Sequence, residues 1–145
     1  AAEASFELMV QKLLGKFKSF FKTEAVSVRT EEIGAGRPRS IADVKIITKD
    51  MKYFESAEGD GPVNALDSAL RKALVKTYPL INEIRLTDYK VRVVNSEAGT
   101  AAKVRVFIEF QDKKKVWTTV GVHENIIEAS WKALVEAIEY KLHKG

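Results

Sequence analysis

No cysteine occurs in the 145 residues, which removes disulfides, thiolate metal sites and cysteine nucleophiles together and fits a reducing compartment such as the cytoplasm. Histidine is nearly as scarce. His123 and His143 stand alone, with no partner at ligand spacing, so no metal site and no imidazole base are expected. No stretch approaches the ~18 consecutive apolar residues that a membrane span requires, and no secretory or transit pattern opens the chain. Glu55, Glu58 and Asp60 cluster without a histidine, so no catalytic residue is assigned. The three prolines, Pro38, Pro62 and Pro79, fall where segments start or stop.

Apolar residues make up 46% of the chain and charged ones 30%, the balance of a globular domain with a real core. A chain of this length buries roughly 68–70% of its unfolded surface. The net charge of +4 comes from scattered basic residues: Lys16, Lys18 and Lys22, then Arg37 and Arg39, then Lys113-Lys114-Lys115. The last run follows Gln111-Asp112 between two strand-like segments and reads as a solvated hairpin tip. Phe107, Phe110 and Trp117 neighbour basic residues, which keeps a basic RNA-binding module as a distant alternative. No nucleic-acid motif accompanies them.

Along the chain, Phe6, Met9, Val10, Leu13, Leu14, Phe17 and Phe20 recur at helical steps over Ser5 to Phe21, interrupted by Gly15. This predicts an amphipathic connector, residues 1–22, that docks elsewhere; the opening Ala1-Ala2-Glu3-Ala4 without methionine suggests that it follows a missing upstream region. Strand alternation follows from Thr23 to Ile33 and from Ala42 to Thr48, with a breaker-rich loop at Gly34 to Arg39 between them. A turn at Lys49-Asp50 leads to a third strand, Tyr53 to Ala57. A helix then starts at Pro62 and ends near Tyr78-Pro79.

The same order recurs about 64 positions later: strands at Ile84 to Val94, Thr100 to Phe110 and Val116 to Val122, then a helix opened by a capping box of Asn125 and Glu128. Leu86 falls on the opposite parity from Tyr89, Val91 and Val93, which predicts a bulge near Asp88. The fold expected is α+β: two βββα units spanning residues 23–78 and 82–143 of a domain at 23–145, with antiparallel strands carrying helices on one face. A glycine and a helix start follow the third strand of each unit. Unpaired N–H groups there suit the carboxylate of a small ligand, and Gly59 and Gly61 would allow close approach to the backbone.

Four tracts carry a family resemblance: Ala57 to Leu66 (AEGDGPVNAL), Leu86 to Tyr89 (LTDY), Gly99 to Val104 (GTAAKV) and Thr118 to Trp131 (TTVGVHENIIEASW). Together they resemble the C-terminal regulatory domain of the 2-isopropylmalate and citramalate synthases, over about Thr23 to Leu142 and closer to the citramalate branch. The resemblance implies a fragment without chemistry of its own. In that family a TIM barrel condenses acetyl-CoA with a 2-oxo acid on a divalent metal, and its glycine-rich and His-x-His motifs do not occur here. No cofactor is therefore expected in this chain. The implied partners are a second copy in a homodimer, the barrel of the same polypeptide, and isoleucine or leucine as effector, with no nucleic acid and no membrane.

Carried over position by position, the resemblance makes Leu86, Tyr89 and Val93 one apolar wall of the effector site and Thr100, Ala102 and Val104 another. It places Val63 and Asn64 at the first helix start and Glu124 at the second, where relatives often have proline. Asp60, Gly61, Asp88 and Asn125 are further candidate contacts. Core packing is the competing role for Val93, Ala102 and Val104, and helix capping for Asp60.

Overall fold

A computed structural model describes residues 2–34, 36–94 and 102–145. The element order is α1 (Glu3–Leu13), β1 (Lys22–Ile33), β2 (Arg37–Thr48), β3 (Met51–Gly59), α2 (Pro62–Leu74), a 3-10 turn (Pro79–Glu83), β4 (Arg85–Val94), β5 (Lys103–Gln111), β6 (Val116–His123) and α3 (Ile126–Lys144). The chain thus adopts the expected α+β repeat of two βββα units. Its strands form two three-stranded antiparallel sheets, β1-β2-β3 and β4-β5-β6. The compact units are Ser19–Ile81 on the one hand and Ala1–Lys18 with Asn82–Gly145 on the other.

In the first of these units, α2 lies on β2 and β3. Ala42, Val44 and Ile46 of β2 are fully buried beneath Leu66, Ala69, Leu70, Ala73 and Leu74, the stripe expected of a one-faced helix. β2 and β3 join through Lys49 and Asp50, both at positive φ (48° and 68°), the geometry of a type I′ hairpin. β1 ends at Ile33 as expected, but β2 runs further than expected into the breaker-rich tract, starting at Arg37 and not at Ala42. Only residues 34–36 separate β1 from β2, and Pro38 sits next to the turn, opposite Glu32, where strands tolerate proline.

The second unit repeats the plan with a longer helix. α3 packs on β5 and β6, burying Val106, Ile108, Phe110 and Trp117 under Leu134 and Ile138. Three contacts four residues apart fix the helix on β6. Trp117 Nε1 donates to the Ala137 carbonyl (3.0 Å), Thr119 Oγ1 donates to the Ala133 carbonyl (2.6 Å), and Gly121 meets Ala129 so closely that a Cβ would lie 1.9 Å from its carbonyl oxygen. The C-terminal end of α3 is tied by Lys141, whose Nζ reaches Asp112 (2.7 Å) and Glu83 (3.2 Å). Asp112 also accepts from the backbone N–H of Lys114 and Lys115, and the Lys141 hydrogen bond leads in lowering its pKa to about 2.

The leading helix differs from its sequence reading in length and in place. It ends after Leu13 in a Schellman motif: Gly15, at φ +69°, donates to the Lys12 carbonyl and Lys16 to the Gln11 carbonyl. Phe17 and Phe20, expected on its stripe, lie beyond that stop; Phe17 stacks near His143 and Phe20 meets the Tyr78 ring edge-on. Nor does α1 lack a seat within this chain. It packs on β6 and α3, burying Ala4 and Leu8, while Ser5 Oγ donates to Glu136 Oε1 (2.6 Å) and accepts from the Val120 N–H (2.8 Å). The helix thereby covers an outer edge of the sheet that would otherwise expose strand donors. Phe6, Met9, Leu13 and Leu14 face outward.

Two expectations follow. Gly121→Ala drives a methyl group into the backbone of α3 and should cost about 3 kcal/mol, the upper end of overpacking penalties, read as a lowered midpoint of urea unfolding. Glu139 faces α1 with only Lys12, at 3.9 Å, as ion-pair partner among the described residues, and burial lifts its pKa to about 7 against the opposing Lys12 charge. A folded-state pKa above the unfolded value means stability complete at acid pH and lost as pH rises through 7. Glu139→Gln should therefore be close to neutral at pH 5 and stabilising by roughly 2–3 kcal/mol above pH 8, measured as the pH dependence of Tm.

Candidate functional site

The residues assigned to the effector walls meet on β4 and its neighbour. The predicted bulge is present between Leu86 and Asp88, with Thr87 as the extra residue. It returns Leu86 to the face of Tyr89, Val91 and Val93. Across the ladder these residues oppose Phe110, Ile108, Val106 and Val104 respectively. The β5 side of this face is closed, with Val106, Ile108 and Phe110 fully buried. The β4 side is open: Tyr89 is 39% exposed, Val91 37% and Val93 65%.

Physical cause lies in how α3 is seated. Its alanine stripe holds it over β6 and β5, so the apolar alternation of β4 continues the core beyond the helix that covers it. Tyr89 spans the gap. Burial raises its pKa, with a hydrogen bond to the Ser130 hydroxyl opposing, and Ser130 in turn donates to the Ile126 carbonyl (2.7 Å). Ile126, at the start of α3, is itself exposed. The result is an uncovered apolar strip, or trough, along β4, with the Tyr89 phenol tied to the buried Ser130 at one side and the exposed Ile126 at the start of α3 beside it.

The other assigned residues fall in several places. Val104 borders the trough and is half-buried, and Ala102 is exposed just before β5; Thr100 lies outside the described residues. Glu124 is exposed at the approach to α3. Asn125 already caps that helix, its Oδ1 accepting from Ile127 N (2.8 Å) and Glu128 N (3.2 Å). The return half of the capping box is not made by Glu128 as expected. The Asn125 N–H donates instead to His123 Nδ1 (2.9 Å), because the imidazole two residues back reaches it first.

Asp88 pairs with Glu109 across the ladder, on the face of the sheet opposite Tyr89, and so does not join the trough. Asp60, Gly61, Val63 and Asn64 belong to the other compact unit. Asp60 does not cap α2; it binds Arg39 Nη1 at 2.5 Å. Gly61 is the N-cap, without a side-chain hydrogen bond, and Pro62 follows. The first turn there thus presents the Val63 and Asn64 amides with no side-chain cap. Val63 is buried in the core of its own unit and Asn64 is exposed. Gly59 is required by helix packing and not by ligand access: its Cβ would lie 2.5 Å from Ala65 N.

Sequence reasoning left Val91, Ile126 and Ser130 out of the site. Val91 shares the parity of Tyr89 and Val93, so its inclusion was readable; Ser130 and Ile126 join only through the packing of α3. Among the described residues no group of three His, Cys, Asp or Glu is placed to hold a metal ion, and no helix is long and apolar enough to cross a membrane.

Comparison with known proteins agrees with the resemblance. The model of the LeuA allosteric (dimerisation) domain matches residues 1–142. The chain is 49% identical over 145 residues to an (R)-citramalate synthase of Geobacter sulfurreducens, covering 99% of this chain and 28% of that protein. To the (R)-citramalate synthase of Aquifex aeolicus it is 48% identical, with the same coverage. A 2-isopropylmalate synthase of Pyrococcus furiosus is more distant, 29% identical over 137 residues, 94% of this chain and 25% of that protein. The chain spans little more than a quarter of the length of these relatives. It belongs to the LeuA allosteric (dimerisation) domain family, in the part of that family found in citramalate synthases.

Proposed function

We propose that this domain pairs with a second copy of itself and binds a branched-chain amino acid, isoleucine in preference to leucine, to feedback-inhibit an acetyl-CoA-dependent citramalate synthase in the cytoplasm. The acetyl-CoA and divalent-metal chemistry would reside in a TIM barrel of the same polypeptide. The observation that carries the reading is the open side of the β4 face. Tyr89, Val91 and Val93 continue a sealed core and yet remain exposed, and an apolar strand face of this kind marks an interaction site. The similarity to citramalate synthases at 48–49% identity, against 29% for the 2-isopropylmalate synthase, favours isoleucine over leucine.

In this reading the effector's forked side chain lies on the valines, with Tyr89 and Leu86 bounding it. Within the same unit, Glu124 is a candidate acceptor for the ammonium; in their own unit, the Val63 and Asn64 amides, which have no side-chain cap, are a second candidate carboxylate site. Occupancy is felt at a distance if the effector prefers one of two arrangements of the pair. A differential of about 1–3 kcal/mol is the usual size of such coupling. Isoleucine and leucine differ only in where the branch falls, so the shape of the valine floor sets the preference.

Calorimetric titration of the chain with isoleucine, leucine and valine tests this. Isoleucine should bind tightest, and Tyr89→Ala should weaken it about tenfold or more, the equivalent of 1.4 kcal/mol. Unchanged isoleucine affinity in that variant would remove β4 from the site, and absence of binding by all three amino acids would remove the sensor reading. Val93→Asp should shift the species seen by sedimentation from dimer to monomer.

A further inference from the structure

The face of the β4-β5-β6 sheet opposite the trough carries a charge arrangement that neither the fold nor amino-acid sensing uses. Three ladder rows lie on it. Asp88 opposes Glu109, Lys90 opposes Phe107, and Arg92 opposes Arg105; Lys103 follows, opposite Val94. Like charges directly across a ladder, with Cβ atoms about 4.5–5.5 Å apart, destabilise a sheet. Here this happens twice, with acids at one end and guanidinium groups at the other. A groove of about 320 Å³ runs between them, lined by Asp88, Lys90, Arg92, Phe107, Glu109 and Thr118.

Edge protection accounts for Lys90 and Arg92, since charged residues on an outer strand deter pairing with other chains. It does not account for Lys103 and Arg105, which sit on the central strand β5. Among the described residues, Arg92, Lys103 and Arg105 form no salt bridge, and the ion pair on this face is Lys90 with Asp88 at 3.8 Å. At the acidic end, Thr87 Oγ1 donates to Glu109 Oε2 (2.9 Å) and the Tyr89 N–H to Asp88 Oδ1 (2.8 Å). Each carboxylate keeps further acceptor sites.

Four residues of extended strand place the acidic row about 13 Å from the arginine row, with the Phe107 ring between. An α-amino acid, whose carboxylate and ammonium share one carbon, is far too short to reach both. A nucleotide fits the span and the order of the groups: phosphates on the guanidiniums, as arginine suits, a flat base over the aromatic ring, and an exocyclic amine donating to the carboxylates. We propose that this outer face is a nucleotide site, with Arg92 and Arg105 holding the phosphates, Phe107 the base and Glu109 its amine.

Titration of the chain at low ionic strength with ATP, tripolyphosphate, adenosine and a single-stranded RNA tests the proposal. ATP should bind, tripolyphosphate more weakly, and adenosine without measurable heat. Arg92→Glu and Arg105→Glu should each weaken ATP about tenfold or more, with Arg105→Gln as the milder variant if a reversal disturbs folding. Phe107→Ala should bring ATP down to the level of tripolyphosphate. No ATP binding at millimolar concentration, binding indifferent to the arginine changes, or equal affinity for ATP and tripolyphosphate in the unaltered chain would overturn it. So would RNA binding where ATP gives no signal.

Discussion

Close approach between α3 and β6 is the constraint from which the rest of its unit follows. Alternate residues of a strand advance about 6.7 Å and four residues of a helix 6 Å, so Trp117, Thr119 and Gly121 can meet Ala137, Ala133 and Ala129 in step along nearly antiparallel axes. Two of these contacts are hydrogen bonds onto helix carbonyls, and the third is possible only because Gly121 has no side chain. The other unit has the same stripe, Ala65, Ala69 and Ala73, all fully buried, with Gly59 against Ala65. The repeat noticed in the sequence is thus a repeated packing device: small residues on one helix face and a glycine on the third strand.

A helix drawn onto the third strand leaves the first strand of its sheet short of cover. In the second unit this is the origin of the open trough along Tyr89, Val91 and Val93. A finished monomer core would bury these residues, each worth about 1.5–3 kcal/mol when fully removed from water. In a member of a dimerisation-domain family, leaving that gain unrealised in the single chain is consistent with its being recovered on association or on ligand binding. The opposite edge of the same sheet is treated differently. Ser5 of α1 accepts from the Val120 N–H and donates a hydrogen bond to Glu136, so among the described residues the β6 edge is covered by α1 and the β4 edge carries no such cover.

Much of this was legible from the chain because local rules and tertiary outcome coincide. The bulge at Thr87 follows from a single break in parity, and the hairpin at Lys49-Asp50 from its place between two alternating runs. The cap at Asn125 follows from residue type and position. Reading failed where a competing neighbour decided. His123 took the amide expected to meet Glu128, Arg39 took the carboxylate of Asp60, and Gly15 stopped a helix whose periodicity continued through Phe20. In each case the residue was visible, but the partner that outbid the expected one could be identified only with the backbone in place.

The candidate site divides along the same line. Strand alternation and the family motifs brought Leu86, Tyr89, Val93 and Val104 to one surface, because side-chain parity is a property of the chain alone. Which side of the sheet Asp88 occupies follows from the bulge register. That Ser130 and Ile126 border the trough, and that β4 is open while β5 is sealed, depend on where α3 comes to rest. The chain by itself determined two βββα units, their strand faces and their helix starts, since these arise from periodicity and local backbone chemistry. Tertiary structure alone decided which of those faces stayed uncovered, since burial is a relation between elements and no single segment encodes it.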